Sequence, residues 1–210
     1  MLDAAREQVA AACARLAKEG LVVGTSGNVS MRAEGHVIVT PTGGVFGEMS
    51  AEDMSVVTPH GTVVEGPAPT SELGLHLLLY ERKDAGAVVH THAPYATALS
   101  CVVDEVPPVH YSMLMFGGSL KVAPYATFGT EELARNVESA LDERTACLMQ
   151  NHGHVGYGHS LDAAVESSLL VEWACTVYWR ARAIGEPSAL SNEQMQEVVE
   201  QVVRLGYGKK

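Results

Sequence analysis

Two histidines spaced by one residue, His90 and His92, close the run Ala87-Val-Val-His-Thr-His92 just before Pro94. The run reads as a buried strand, and in a strand the side chains at i and i+2 leave the same face, so both imidazoles can reach one metal ion. A third imidazole, His152, stands at the end of a second apolar run, Ala146-Cys-Leu-Met-Gln-Asn-His-Gly153. Any one of them alone is an ordinary hydrogen-bonded histidine. Together, three imidazoles at two strand ends suggest a metal site that keeps one coordination position open. The ligand set has borderline softness, which favours Zn2+, with Mn2+ and Co2+ as the alternatives. His36, His60, His76, His110, His154 and His159 gain no ligand role from spacing.

A second group of residues has the character of an anion cradle. Gly24-Thr-Ser-Gly-Asn-Val-Ser30 sets two glycines and small hydroxyl residues between two strands, where backbone N–H groups can turn toward an anion. By itself it also reads as a plain tight turn, since it lacks the lysine of a P-loop and no helix follows it. Pro41-Thr-Gly43 and Thr70-Ser71 add two more small-residue patches, and three such patches resemble a phosphate site more than one does. Glu72 follows directly, at a position where a carboxylate ordinarily serves a helix start or faces solvent.

The elements that must position these residues follow from period and punctuation. Asp3 to Glu19 reads as a helix stopped by Gly20. Short β-rich runs at Leu21–Val23, Val29–Arg32, Val37–Thr40, Ser55–Thr58 and Thr62–Glu65 predict an antiparallel-leaning sheet. A helix beginning near Glu72 takes Thr70 or Ser71 as its cap. Pro94 opens another after the His90 strand, and a loop surrounds Pro107-Pro108. Thr130 precedes a further helix, Cys147 lies on a strand, Ser160 starts a long helix reaching about Ile184, and Ser191 caps a last one. The fold class is therefore α/β, without the regular βαβ rhythm of a doubly wound sheet.

The 210 residues suit one domain spanning 1–210, with 47% hydrophobic and 19% charged residues. A formal charge of -11 argues against nucleic acid or an anionic membrane as partner. Cys13, Cys101, Cys147 and Cys175 stand singly in apolar stretches and read as buried free thiols in a reducing compartment. The N-terminus lacks the basic and apolar regions of a signal peptide, and Glu172 interrupts the most apolar later stretch, so the expectation is a cytoplasmic protein with no membrane span.

Taken together, Gly24-Thr-Ser-Gly-Asn-Val-Ser30, Pro41-Thr-Gly43, Ser71-Glu72, His90 with His92, and Asn151-His152-Gly153 resemble the class II aldolase and adducin head-domain family. Pro108-Val-His-Tyr111 and Ala123-Pro-Tyr-Ala-Thr-Phe-Gly-Thr130 look like its L-fuculose-1-phosphate aldolase branch. The resemblance implies a central, mainly antiparallel sheet flanked by helices. It implies Zn2+ on His90, His92 and His152, with Glu72 as a fourth ligand that swings away to act as base. The phosphate of a sugar phosphate would lie among Gly27, Asn28, Thr42, Gly43, Thr70 and Ser71. Tyr111 would reach into the active site of a neighbouring subunit, which implies a homotetramer with sites at the interfaces. Tyr207 is the candidate for a C-terminal tyrosine that approaches the substrate.

The implied reaction is a retro-aldol cleavage of a ketose 1-phosphate to dihydroxyacetone phosphate and an aldehyde such as L-lactaldehyde, with the cation stabilising the enediolate as a Lewis acid. Glu72 would exchange the proton at C3, and Tyr111 would serve the C4 oxygen. Two departures bear on the aldehyde: Asn151 stands where another histidine is frequent, and Ser112-Met-Leu-Met-Phe116 is bulkier than the alanine-rich segment expected. Met113, Met115 and Phe116 suit interface or core packing as readily as a pocket. Rival readings within the fold are an L-ribulose-5-phosphate 4-epimerase, a methylthioribulose-1-phosphate dehydratase and a 5-deoxyribulose-1-phosphate aldolase. A non-catalytic adducin-like binding module is disfavoured by the three histidines.

Overall fold

The computed structural model describes residues 2–206. Nine strands form one sheet in the order β4-β3-β2-β1-β5-β9-β8-β7-β6. In chain order they are β1 (Asn28–Ala33), β2 (His36–Val39), β3 (Ser55–Val57), β4 (Val63–Glu65), β5 (Ala87–Thr91), β6 (Glu105–Val106), β7 (Leu120–Ala123), β8 (Ala146–Met149) and β9 (Gly153–Gly158). Every neighbouring pair is antiparallel except β7 with β8. The helices are α1 (Leu2–Lys18), α2 (Leu73–Arg82), α3 (Pro94–Ser100), α4 (Glu131–Leu141), α5 (Leu161–Ile184) and α6 (Asn192–Leu205).

Strand alternation divides the interior in two. Ala87, Val89, Ile38 and Leu148 point into one core with Val9 and Leu16 of α1, Leu99 of α3 and Val171 of α5. Val37, Val39, Val88, Cys147 and Met149 point to the other face, against Leu75 and Leu79 of α2 and Leu133 and Val137 of α4. All five residues of β5 are buried, as a strand covered by helices on both faces must be.

The helix starts follow local chemistry. The side chains of Thr130, Ser160 and Ser191 accept from the N–H groups of Leu133, Ala163 and Gln194, answering donors that a helix's first turn leaves open. At α2 the expected cap is displaced. Glu72 holds the capping position without a side-chain capping bond, and the Thr70 hydroxyl accepts from the Glu72 N–H instead.

Two further expectations need correction, and the segment after Tyr111 resolves into core and surface. Leu21–Val23 is not a strand. Gly20 takes a left-handed φ of 76° and the Leu21 N–H returns to the Leu16 carbonyl, so this apolar run wraps the end of α1. Cys101 is exposed while the other three cysteines are buried; it stands at the end of α3, where its thiol donates to the Thr97 carbonyl. In the 3-10 turn Tyr111–Phe116, Met113 and Phe116 are fully buried core residues and Met115 is exposed.

Candidate metal centre and substrate cleft

The sheet brings the three imidazoles together through two short turns. His90 lies near the end of β5 and His92 just beyond it, while His152 sits in the turn joining β8 to β9. That turn closes directly over the end of β5. A Cβ on Gly153 would come within 2.3 Å of the Thr91 carbonyl oxygen, so only glycine lets His152 approach the strand that carries the other two. Asn151 takes a left-handed φ of 55° in the same turn. The three ring centroids lie 4.8 to 4.9 Å apart, and one ligand nitrogen from each lies within 4.8 Å of the others.

Orientation at this cluster is also fixed. His90 Nδ1 is 2.8 Å from the His154 carbonyl and donates to it, so in the neutral, metal-binding form of the ring the lone pair belongs to Nε2, which lies 3.0 Å from His92 Nε2. Glu72 is 6% exposed, contrary to the solvated carboxylate its position suggests. Its Oε2 accepts from Asn28 Nδ2 at 2.9 Å and lies 3.2 Å from His90 Nε2. Its Oε1, 3.7 Å from His152 Nε2, has no hydrogen-bond partner. Three imidazole nitrogens beside a buried, unpartnered carboxylate oxygen fit a divalent cation, which would satisfy all four.

The electrostatics agree with that chemistry. Burial, with the charge of His90 second, lowers His92 and His152 to about 4 each, so both are neutral donors at physiological pH. Burial would lift Glu72, yet the charge of His90 and bonds from His90 and Asn28 hold its carboxyl well below the usual range. Burial would lower His90, and the facing Glu72 carboxylate outweighs it and raises it.

A cleft of about 410 Å³ opens on this cluster. His92, His152 and Glu72 line one part of it, and all the expected anion-binding residues line the rest: Gly27, Asn28, Thr42, Gly43, Thr70 and Ser71. Two contacts explain the convergence. Gly27 has a φ of 94°, and a Cβ there would meet the His90 carbonyl oxygen at 2.8 Å, so the first loop rests on β5. An isolated bridge between Pro41 and Pro69 ties the second and third loops side by side. The Asn28 amide is engaged by Glu72 on one side and His76 on the other.

Tyr111 does not join this cleft within the chain. It is 54% exposed and stacks on His110 at 4.4 Å. Tyr207 lies outside the described residues. Thr25, Ser26, Tyr125 and Phe128 also line the cleft. Sequence reasoning gave the aromatic pair no role, although both sit in the Ala123–Thr130 stretch that carried the resemblance.

Comparison with known proteins agrees with this geometry. The Class II Aldolase and Adducin N-terminal domain matches residues 7–179. The 5-methylthioribulose-1-phosphate/5-deoxyribulose-1-phosphate aldolase of Rhodospirillum rubrum is 37% identical over 208 residues, 98% of this chain and 90% of its own. The L-fuculose phosphate aldolase of Escherichia coli K12 is 37% identical over 202 residues, covering 95% of this chain and 94% of its own. A solved L-fuculose 1-phosphate aldolase superposes with a TM-score of 0.89 at 35% identity, over 93% of this chain and 94% of that one. The chain belongs to the class II aldolase and adducin N-terminal domain family. Within that family it is a class II aldolase, and its three-histidine cluster could hold the divalent metal that class II aldolases use.

Proposed function

We propose that this protein reversibly cleaves a methyl-terminated ketose 1-phosphate to dihydroxyacetone phosphate and a short aldehyde, with Zn2+ held by His90, His92, His152 and Glu72. One observation carries the reading: the imidazole cluster and the buried Glu72 form one part of a cleft that the three glycine and hydroxyl patches also line. L-fuculose 1-phosphate, giving L-lactaldehyde, is the first substrate of this reading. 5-Deoxyribulose 1-phosphate is the second, favoured by the name of the Rhodospirillum rubrum relative. Tyr125, Ala126 and Phe128 offer apolar surface for the methyl end of either aldehyde.

The phosphate, in a chain of charge -11, is held by neutral donors: N–H groups and hydroxyls of Gly27, Thr42, Gly43, Thr70 and Ser71, with Asn28 beside them. The cation supplies Lewis acidity toward the negative charge that carbon–carbon cleavage leaves on the three-carbon fragment. Glu72 takes and returns the proton at C3 through Oε1, while Oε2 stays held by Asn28. Tyr111, offered to a neighbouring subunit of a homotetramer, takes the proton of the C4 hydroxyl in cleavage and returns it to that oxygen in condensation. Its exposure leaves it free for that contact. The protomer acts as one domain over 1–210, in the cytoplasm, where its thiols stay reduced. Among the described residues, no helix is long and apolar enough to cross a membrane.

The test is release of dihydroxyacetone phosphate from L-fuculose 1-phosphate, L-ribulose 1-phosphate and 5-deoxyribulose 1-phosphate, with and without chelator. Chelator-sensitive release from at least one supports the aldolase. Metal-loaded protein that releases none from any of the three sinks it, and L-ribulose-5-phosphate 4-epimerase and methylthioribulose-1-phosphate dehydratase assays then take its place.

A further inference from the structure

The side of α2 that faces β1 carries a polar ladder that starts at the cleft and runs back into the buried interior. Glu72, His76 and Tyr80 are four residues apart, and Asn28, Ser30 and Arg32 are two apart. Four helical residues rise about 6 Å and two strand residues about 6.7 Å, so the two stripes stay in step. Rung by rung, Asn28 Nδ2 bonds Glu72 Oε2 at 2.9 Å, and His76 Nε2 meets Asn28 Oδ1 at 2.5 Å. Ser30 Oγ then lies 2.7 Å from both His76 Nδ1 and the Tyr80 hydroxyl. Arg32 ends the ladder, donating to the Tyr80 carbonyl with its guanidinium 4.7 Å from the Tyr80 ring centroid. His76 and Ser30 are completely buried.

The charge at one end dictates the direction of every bond. A carboxylate accepts only, so Asn28 must present its NH2 to Glu72 and its oxygen to His76. His76 must therefore carry its proton on Nε2, which leaves Nδ1 to accept from the Ser30 hydroxyl. Ser30 in turn accepts from Tyr80. All four donors point toward Glu72.

We propose that His76 is a positioning residue. Through Asn28 it anchors Glu72 Oε2, so that Oε1 is the oxygen that leaves the cation for the proton at C3. The assignment rests on Glu72 being the working carboxylate of the proposed aldolase. A side chain that swivelled would present either oxygen, or neither, to the substrate. The ladder anchors Oε2 from behind, so Glu72 leaves the cation by turning about that oxygen, while His76 itself touches neither the substrate nor the histidine cluster.

Two measurements test the proposal. The first is 15N NMR of histidine-labelled protein, with the His76 signals identified by their loss in His76→Gln. A proton on Nε2 and a bare Nδ1 are expected; a proton on Nδ1, or on both nitrogens, overturns the ladder. The second compares two variants of the metal-loaded enzyme. His76→Asn keeps a polar group near Ser30 and stops short of Asn28, so kcat falls about 10- to 100-fold, as when the support of a metal-site residue is removed, while KM and bound metal change little. His76→Gln restores an N–H donor within reach of Asn28 and recovers most of the loss. Equal activity in the two variants, or a loss expressed in KM instead of kcat, refutes the positioning role. The tautomer needs no turnover, so an enzyme that cleaves none of the ketose 1-phosphates defeats the functional reading while the NMR result still decides the ladder.

Discussion

Gly153 is the residue whose replacement most directly tests how the site is built. In Gly153→Ala the new Cβ would lie 2.3 Å from the Thr91 carbonyl oxygen and 3.3 Å from His92 Cα, and real Cβ atoms essentially never approach closer than 3.0 Å. The turn between β8 and β9 must retreat from β5 by at least the 0.7 Å between those two values. His152 moves with it, whereas His90 and His92 stay with the strand. Metal–ligand distances tolerate about 0.2 Å, so the third ligand leaves its range. Metal affinity should fall on the order of 10- to 100-fold, and metal-free stability by about 1–3 kcal/mol from the overpacking. Calorimetric titration with Zn2+ or Co2+ reads the first, and thermal melting of metal-free protein the second. Gly74→Ala is the control, because nothing lies within 4 Å of its new methyl and a helical alanine is better by up to about 1 kcal/mol. Wild-type metal affinity in Gly153→Ala would refute the argument that this glycine sets the distance between the two halves of the site.

Glu72→Gln keeps the shape of the side chain and removes its basicity; kcat should fall about 10²- to 10⁴-fold, with substrate binding less affected, as read by steady-state kinetics. Metal-free protein should lose stability in acid. Burial holds His76 and His154 at about 3 against 6.5 when unfolded, so the unfolded chain binds more protons between those values. Burial also holds His92 and His152 at about 4, so each of the four withdraws roughly 2 kcal/mol between pH 6.5 and 5, a window in which the raised His90 adds little slope, because its contribution is nearly complete below 6.5. Urea midpoints at the two pH values measure the sum, and a flat response would contradict neutral burial. Glu172 accepts the N–H groups of Tyr95 and Ala96 at the start of α3, both at 2.9 Å. Glu172→Ala should cost about 2–3 kcal/mol by denaturant unfolding, since bonds to a charged acceptor are lost.

Features decided within a few residues were legible in the sequence. The His90–His92 pair, the caps at Thr130, Ser160 and Ser191, and the short antiparallel strands each depend on neighbours in the chain. The three anion patches were visible as composition, and the site residues named from them all line one cleft. What escaped depended on register between distant segments. Glu72 resembled any carboxylate at a helix start, and only the pairing of Asn28 with His90 across β1 and β5 places the Asn28 amide where it can turn Glu72 inward. His76 has no signature until α2 lies against β1. Leu21–Val23 failed for another reason: three apolar residues fit a strand and a helix wrap equally well.

The placement of β5 gives the ligand set unequal exits. His90 lies in, and His92 directly follows, a strand in the middle of the sheet, buried on both faces, whose backbone can open only when most of the molecule does. His152 hangs on a three-residue turn tied down by two bonds to other segments, from the Gln150 N–H to the Ala123 carbonyl and from the Asn151 N–H to the Ser100 carbonyl, neither of which belongs to β5. Exchange of a cation held by the three imidazoles should therefore be governed by that turn. Its off-rate should follow the opening of residues 150–152, while the amide hydrogens of β5 exchange only on the far slower timescale of global unfolding.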